Sequence, residues 1–201
     1  MTADDVIKAW DQADPTAIHP LRQVSEDAYW DSGKAQADML ATVIPDGAKV
    51  LDFGCGDGRV AIPMANLGYE ITAVDASPNM LDRLTERDDS VTTVQADADG
   101  IAGHLGRRRM DAIYSLAVLI HHSYNDCLHI ISKLRAATKL GGILVLDWPV
   151  SDSPSEADSW IGVTTWSREQ QDEACAGIGL ERVDGDLPWG VYRAVKAGAA
   201  K

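Results

Sequence analysis

A chain of 201 residues, 45% hydrophobic and 24% charged, has the composition of an ordinary globular domain with one sizeable core. Its 31 acidic against 18 basic residues leave a formal net charge of -13, which disfavours a nucleic acid or any other polyanion as partner. The opening MTADDVIKAWDQADP is acidic where a secretory leader would be basic and then apolar, and no apolar run reaches membrane-spanning length, so a cytoplasmic protein without membrane contact is expected. Cys55, Cys127 and Cys175 form neither an even disulfide set nor a C-x-x-C pair. They read as reduced and structural, and no metal site is expected.

In chain order, KVLDFG (49–54) is an apolar, β-branched run ending in glycine, GRVAIPMANLG (58–68) has helical spacing with Gly68 as a stop, and YEITAVDAS (69–77) is again strand-like. SPNMLDRLTER follows with Ser77 as N-cap and Pro78 at the first helical position, then SVTTVQAD as a third strand. MDAIYSLAVL supplies a fourth strand, YNDCLHIISKLRAATKL an amphipathic helix stopped by Gly141 and Gly142, and GILVLDWP a fifth strand. The tail holds a capped helix and strand in TTWSREQQDEACAGIGLERVDGD and a last strand in WGVYRAVKA. Alternation of this kind predicts an α/β protein with a parallel sheet covered on both faces. Between the third and fourth strands, Arg107, Arg108 and Arg109 read as a solvated loop rather than a phosphate site.

In a doubly wound sheet the ligand lies beyond the carboxyl ends of the strands, where the strand order reverses. VLDFGCGDGR (50–59) stands at the first such end, yet its third fingerprint position is Arg59, not glycine. Asp52 and Asp57 would repel a pyrophosphate but attract a ligand that carries an ammonium group beside a ribose. Alternating Gly54, Gly56 and Gly58 let backbone approach ligand without Cβ contacts. Asp75, at the next strand end, can accept both hydroxyls of an unphosphorylated ribose, which disfavours NADP.

Residues 49–148 resemble the core of a class I S-adenosylmethionine-dependent methyltransferase: VLDFGCGDGR is similar to that family's first motif, ITAVDASPNML to its second, VQADA to its third and MDAIYSLAVLIHH to its fourth. The resemblance implies a Rossmann-like, doubly wound seven-stranded sheet, mostly parallel with an antiparallel last strand. It implies S-adenosylmethionine as cofactor, S-adenosylhomocysteine as product and no metal. Asp52, Gly54, Cys55 and Gly56, with Gly58 closing the turn, would face the methionine part. Asp75 and Ala76 would take the ribose, Met80 an adenine face, Asp97 and Ala98 the adenine edge, and Leu116 the thioether side. Met80 is equally readable as helix core, and Asp97 as a turn cap ahead of Asp99 and Gly100. SEDAYWDSGK (25–34) resembles the segment that covers the cofactor in many members, which makes Tyr29 and Trp30 lid residues.

The expected organisation is one domain over 1–201: an N-terminal helical segment and lid (1–46), a cofactor-binding core (47–150) and a C-terminal completion of sheet and acceptor side (151–201). His121 and His122 follow the fourth strand on the active edge, where a base could serve a hydroxyl or protonated amine. In an extended turn only one of them faces the pocket, and His121, closer to the strand end, is the expected base. Trp148 is expected to wall the acceptor site, Trp160 to lie near it, and Trp166 and Trp189 to sit in the core. The charge and the absence of base-methylating motifs favour a small-molecule acceptor, methylated at oxygen or nitrogen, by a monomer or homodimer. The alternatives are a tRNA or protein acceptor, a non-catalytic S-adenosylmethionine-binding sensor or partner subunit, and an NAD-dependent reductase.

Overall fold

A computed structural model describes residues 3–14, 16–19, 22–159, 162–183 and 185–198; Trp160 lies outside them. The chain opens with α1 (Ala3–Asp11), a small antiparallel pair β1 (Ala17–His19) and β2 (Arg22–Gln23), and α2 (Glu26–Leu40). There follow β3 (Lys49–Phe53), α3 (Ala61–Asn66), β4 (Glu70–Asp75), α4 (Pro78–Arg87), β5 (Thr92–Gln95), α5 (Ile101–Leu105) and β6 (Met110–Ser115). After α6 (Tyr124–Ala137) come β7 (Thr138–Leu146), α7 (Arg168–Ile178), β8 (Leu180–Val183) and β9 (Gly190–Ala194). The large sheet has the order β5-β4-β3-β6-β7-β9-β8. Strands β3 to β7 pair in parallel, and β9 runs antiparallel to both its neighbours.

Alternation along the central strands builds a core on each face. Leu51, Ile113, Leu144 and Leu146 pack with Ile131 and Leu134 of α6. Val50, Ala112, Tyr114 and Val145 face the other way, onto Leu40 of α2 and Met64 of α3. Each such aliphatic side chain contributes about 1.5–3 kcal/mol by leaving water. Local caps act as the sequence demands: the Ser77 hydroxyl accepts from Met80 N–H with Pro78 in the first turn, and Ser167 with Gln170 forms a reciprocal capping box on α7.

Three boundaries differ from expectation. Helix α6 ends at Ala137, because Thr138 is already extended and turns its hydroxyl back onto the Leu134 carbonyl, so β7 begins before the two glycines. Strand β6 stops at Ser115, and a 3-10 turn at Leu119–His121 replaces the rest of the apolar run. Helix α5 is additional: one and a half turns around Gly103, too short to show a periodicity.

Strand order reverses at β3, whose chain successors β4 and β5 lie to one side and β6 and β7 to the other. The crevice above β3 and β6 is therefore the place the fold prepares for a ligand.

Candidate active site

The turn after β3 is shaped by backbone positions that only glycine holds without strain. Gly54 has φ +76°, and a Cβ there would meet Val118 Cγ2 at 2.2 Å; Gly56 has φ +54° and opens onto free space. Gly58 serves differently: its missing Cβ would lie 2.8 Å from Leu84 Cγ, so it seats α4 against the turn and does not line the cavity, contrary to the expectation of a ligand contact.

Above the turn is a cavity of about 480 Å³. Asp52, Gly54, Cys55 and Gly56 form one wall. Asp75, Ala76 and Met80 enter from β4 and α4, Asp97 and Ala98 from the end of β5, and Leu116, Ala117 and Val118 from the end of β6. Asp75 Oδ2 accepts the Gly56 N–H at 2.8 Å and Oδ1 accepts the Ser77 N–H at 2.9 Å. Each oxygen keeps a lone pair for a further donor. Burial raises the Asp75 carboxyl, opposed by the backbone N–H groups of Ser77, Gly56 and Ala76. Asp97 lines the cavity, and its Oδ1 accepts the Gly100 N–H at 2.9 Å, as a turn cap would.

The two acidic residues of the glycine turn part company. Asp52 faces the cavity with Tyr114 donating to its Oδ2 at 2.8 Å, and burial pushes its carboxyl up to about 7 despite that bond. Asp57, 5% exposed, turns away and accepts the Tyr29 hydroxyl at 2.7 Å, which ties α2 to the turn. Cys55 is buried, and its thiol is pushed well above the usual range by burial and by Asp52, which leaves it unreactive.

The N-terminal segment reaches the cavity through one of the two named aromatic residues and through a helix whose residues were not singled out. Tyr29 lines the cavity; Trp30 does not, because it turns outward and carries the Arg87 guanidinium 4.1 Å above its ring. Helix α1 supplies Val6, Ile7 and Trp10 to the lining. The signal for this was present in ADDVIKAWD, whose apolar residues share one helical face. Asp11 anchors the helix end by accepting the Ser77 hydroxyl at 2.6 Å and the Asn79 amide at 2.9 Å.

Both histidines contribute to the lining, because the 3-10 turn replaces the extended one that would have pointed them apart. His121 Nδ1 lies 3.1 Å from the Gly162 carbonyl, and since a carbonyl only accepts, Nδ1 carries the proton. Its ring stands 5.9 Å from that of Trp10. Burial lowers the His122 pKa, which favours the neutral ring. Ala117, in the loop just before them, has φ +58° and donates its N–H to Asp147 Oδ2 at 3.1 Å. A non-glycine residue held there is strained, and it sits on the cavity wall. No feature of the sequence pointed to it. Trp148, 3% exposed, is absent from this wall: it packs edge-on to Trp166 at 5.2 Å and against Tyr192 at 5.7 Å, in the core beneath β7 and β9. Trp166 is core as expected, while Trp189 is half-buried. Arg108 bonds carbonyls at the end of α5 and Arg109 carbonyls of its own loop, as a solvated loop would.

An open sheet of this order, with a ligand cavity over its reversal point and a carboxylate at the second strand end, defines the architecture of class I methyltransferases. Residues 50–142 match the family described as "Methyltransferase domain". The chain is 30% identical over 156 residues to a malonyl-[acyl-carrier protein] O-methyltransferase of Enterobacter lignolyticus, covering 72% of this chain and 60% of that one. It is 30% identical over 141 residues to an uncharacterised methyltransferase of Mycobacterium bovis, covering 70% of each. The protein belongs to the methyltransferase family. Among solved structures it is similar to the 1,6-didemethyltoxoflavin-N1-methyltransferase of Burkholderia thailandensis, which holds its substrate and S-adenosylhomocysteine: TM-score 0.65, 19% identity, 85% of this chain and 80% of that one. At that identity the likeness shows the fold. The chain spans 60% of the malonyl relative's length and 46% of that of a ubiquinone biosynthesis O-methyltransferase of Xanthomonas campestris.

Proposed function

We propose that this protein transfers a methyl group from S-adenosylmethionine to a small-molecule acceptor at oxygen or nitrogen, its whole length acting as one methyltransferase unit. The observation that carries the reading is Asp75: a half-buried carboxylate on the cavity wall, fixed by two backbone N–H groups and left with one acceptor position on each oxygen, suited to two vicinal hydroxyls. The rest of the wall fits the same ligand. Asp52 offers a negative partner for the donor's ammonium, and Arg59 a positive one for its carboxylate. Gly56 leaves room for close backbone approach, and Met80, Ala98 and Leu116 offer apolar contact for the base and thioether. When bound, S-adenosylmethionine supplies an activated methyl group on a sulfonium. The protein's part is alignment and exclusion of water, with a histidine at the β6 end as proton acceptor.

Replacing Asp75 by Ala should weaken S-adenosylmethionine binding by about 1–3 kcal/mol, because the charge-assisted bonds are lost while the hydroxyls stay buried. Calorimetry on the folded variant checks this, and unchanged affinity removes Asp75 from the site. Release of S-adenosylhomocysteine with an acceptor present separates transfer from mere binding.

A further inference from the structure

A second cavity, of about 350 Å³, shares no described lining residue with the first. Its wall comes from the chain after β7, the first residue of α7, the end of β8 and the turn into β9, which the pairings Leu146–Gly190 and Val183–Val191 bring to one edge of the sheet. The chain has 31 acidic residues against 18 basic ones, yet none of the described residues lining this cavity is acidic and two are arginines, Arg168 and Arg182. Both reach one amide: Arg182 Nη2 donates to Gln171 Oε1, and Arg168 Nη1 approaches the same oxygen at 3.5 Å. Gln171 is fully buried and its Nε2 donates to the Trp148 carbonyl at 2.6 Å, so its oxygen is the end turned to the arginines. Arg182 Nη2 also donates to the Tyr192 hydroxyl at 3.0 Å. Neither guanidinium has a carboxylate partner among the described residues. Arg182 Nε and Trp148 Nε1, of two residues on this wall, are buried donors with no acceptor among the described residues.

We infer that this second cavity binds a small organic anion, whose carboxylate or phosphate group lies between Arg168 and Arg182. Two guanidiniums that converge on one neutral oxygen repel each other, and Arg182 is half-buried, where water screens a charge less than at the open surface. An oxyanion relieves that repulsion and accepts from both. The planar fork of a guanidinium matches the paired oxygens of a carboxylate or phosphate, which a chloride ion or a hydroxyl does not offer. Val150, Leu187 and Trp189 line the same cavity, so the anionic group is carried on an apolar or aromatic body. The site stands independently of methyl transfer, because none of its described residues lines the donor cavity.

The test titrates the full chain with benzoate, phenyl phosphate and the neutral benzyl alcohol at constant ionic strength, with binding read by calorimetry. The expected result is that benzoate or phenyl phosphate binds at least ten times more tightly than benzyl alcohol, and the tighter of the two identifies the oxyanion. Arg182→Gln, which removes the half-buried guanidinium, should weaken that probe at least tenfold. Arg168→Gln, at an exposed position that leaves the fold undisturbed, should weaken it severalfold, and Arg168→Lys less, since it keeps the charge without the paired donors. The probe's affinity should be the same with S-adenosylhomocysteine present. Neither anion bound better than the alcohol, full affinity in the Arg168→Gln variant, or competition between the probe and S-adenosylhomocysteine overturns the inference; the last outcome would put the anion in the donor cavity and leave the methyl-transfer reading untouched.

Discussion

At the scale of single residues, the two histidines illustrate how neighbours in sequence acquire different duties. His121 is oriented by the Gly162 carbonyl through Nδ1, whereas His122 is buried, has a lowered pKa and makes no ring hydrogen bond among the described residues. An asparagine at position 121 can place its amide nitrogen where Nδ1 stood, so His121→Asn should cost less than tenfold in rate. His122→Asn removes the ring we propose as the proton acceptor and should cost roughly 10²–10⁴-fold with donor affinity unchanged. Because that base works in its neutral form and burial lowers its pKa, the wild-type rate should rise with pH through a midpoint below the ordinary histidine value near 6.5 and then level off. Rates across pH, with donor binding measured in parallel, check all three statements. The positions of Asp52, Asp75 and Asp97 were legible because each closes a β-branched run at a predictable edge. Trp148 was placed at the right strand end but on the wrong side, since the direction of its side chain depends on packing against Trp166 and Tyr192, residues remote in sequence.

At the scale of elements, the strands and α4, α6 and α7 could be read from apolar runs and caps, while α5 and the join of α6 to β7 could not. Five residues around a glycine carry no period, and Thr138 is drawn into the sheet by its pairing with Met110 rather than by local preference. The glycine turn is where element geometry and ligand space meet. Gly56→Val would put a β-branched side chain at φ +54° and into the open cavity, so donor binding should vanish while the far-ultraviolet circular dichroism spectrum is kept. A variant that still binds tightly would mean that the glycines only shape the chain. Tyr29→Phe acts on the join between α2 and the same turn. It deletes the hydroxyl that satisfies the buried Asp57, which should destabilise the protein by about 1–3 kcal/mol and lower Tm by roughly 2–10 °C. Calorimetric melting of the variant is the check, and an unaltered Tm would mean that water replaces the hydroxyl at no cost.

At the scale of the whole molecule, charge sets the response to pH. The chain carries a formal net charge of -13, and Asp52, Asp57, Asp75 and Asp147 are all raised by burial, Asp52 to about 7. A carboxyl whose folded pKa lies above its unfolded value binds more protons in the folded state between the two, so stability falls as pH rises through that window and is flat above it. Asp88, Asp99 and Asp111 are lowered by hydrogen-bonded or charged partners and act in the opposite sense, but they do so as pH falls below the ordinary carboxylate range, outside the window. His122, lowered by burial, opposes this between its folded pKa and the ordinary histidine value near 6.5, one group against four carboxyls, so the donor-free protein should show a net loss of thermal stability from pH 5 to about pH 7. Salt should restore part of it by screening the net charge, and leave the part that comes from buried carboxylates. Asp52→Asn retains the Tyr114 contact without the ionisation, so its Tm should fall less over the same interval. Melting curves of both proteins at fixed ionic strength decide the matter: a wild-type Tm that rises from pH 5 to 7, or parallel curves for the two proteins, would mean that Asp52 stays ionised in the empty cavity and that its charge is already balanced there.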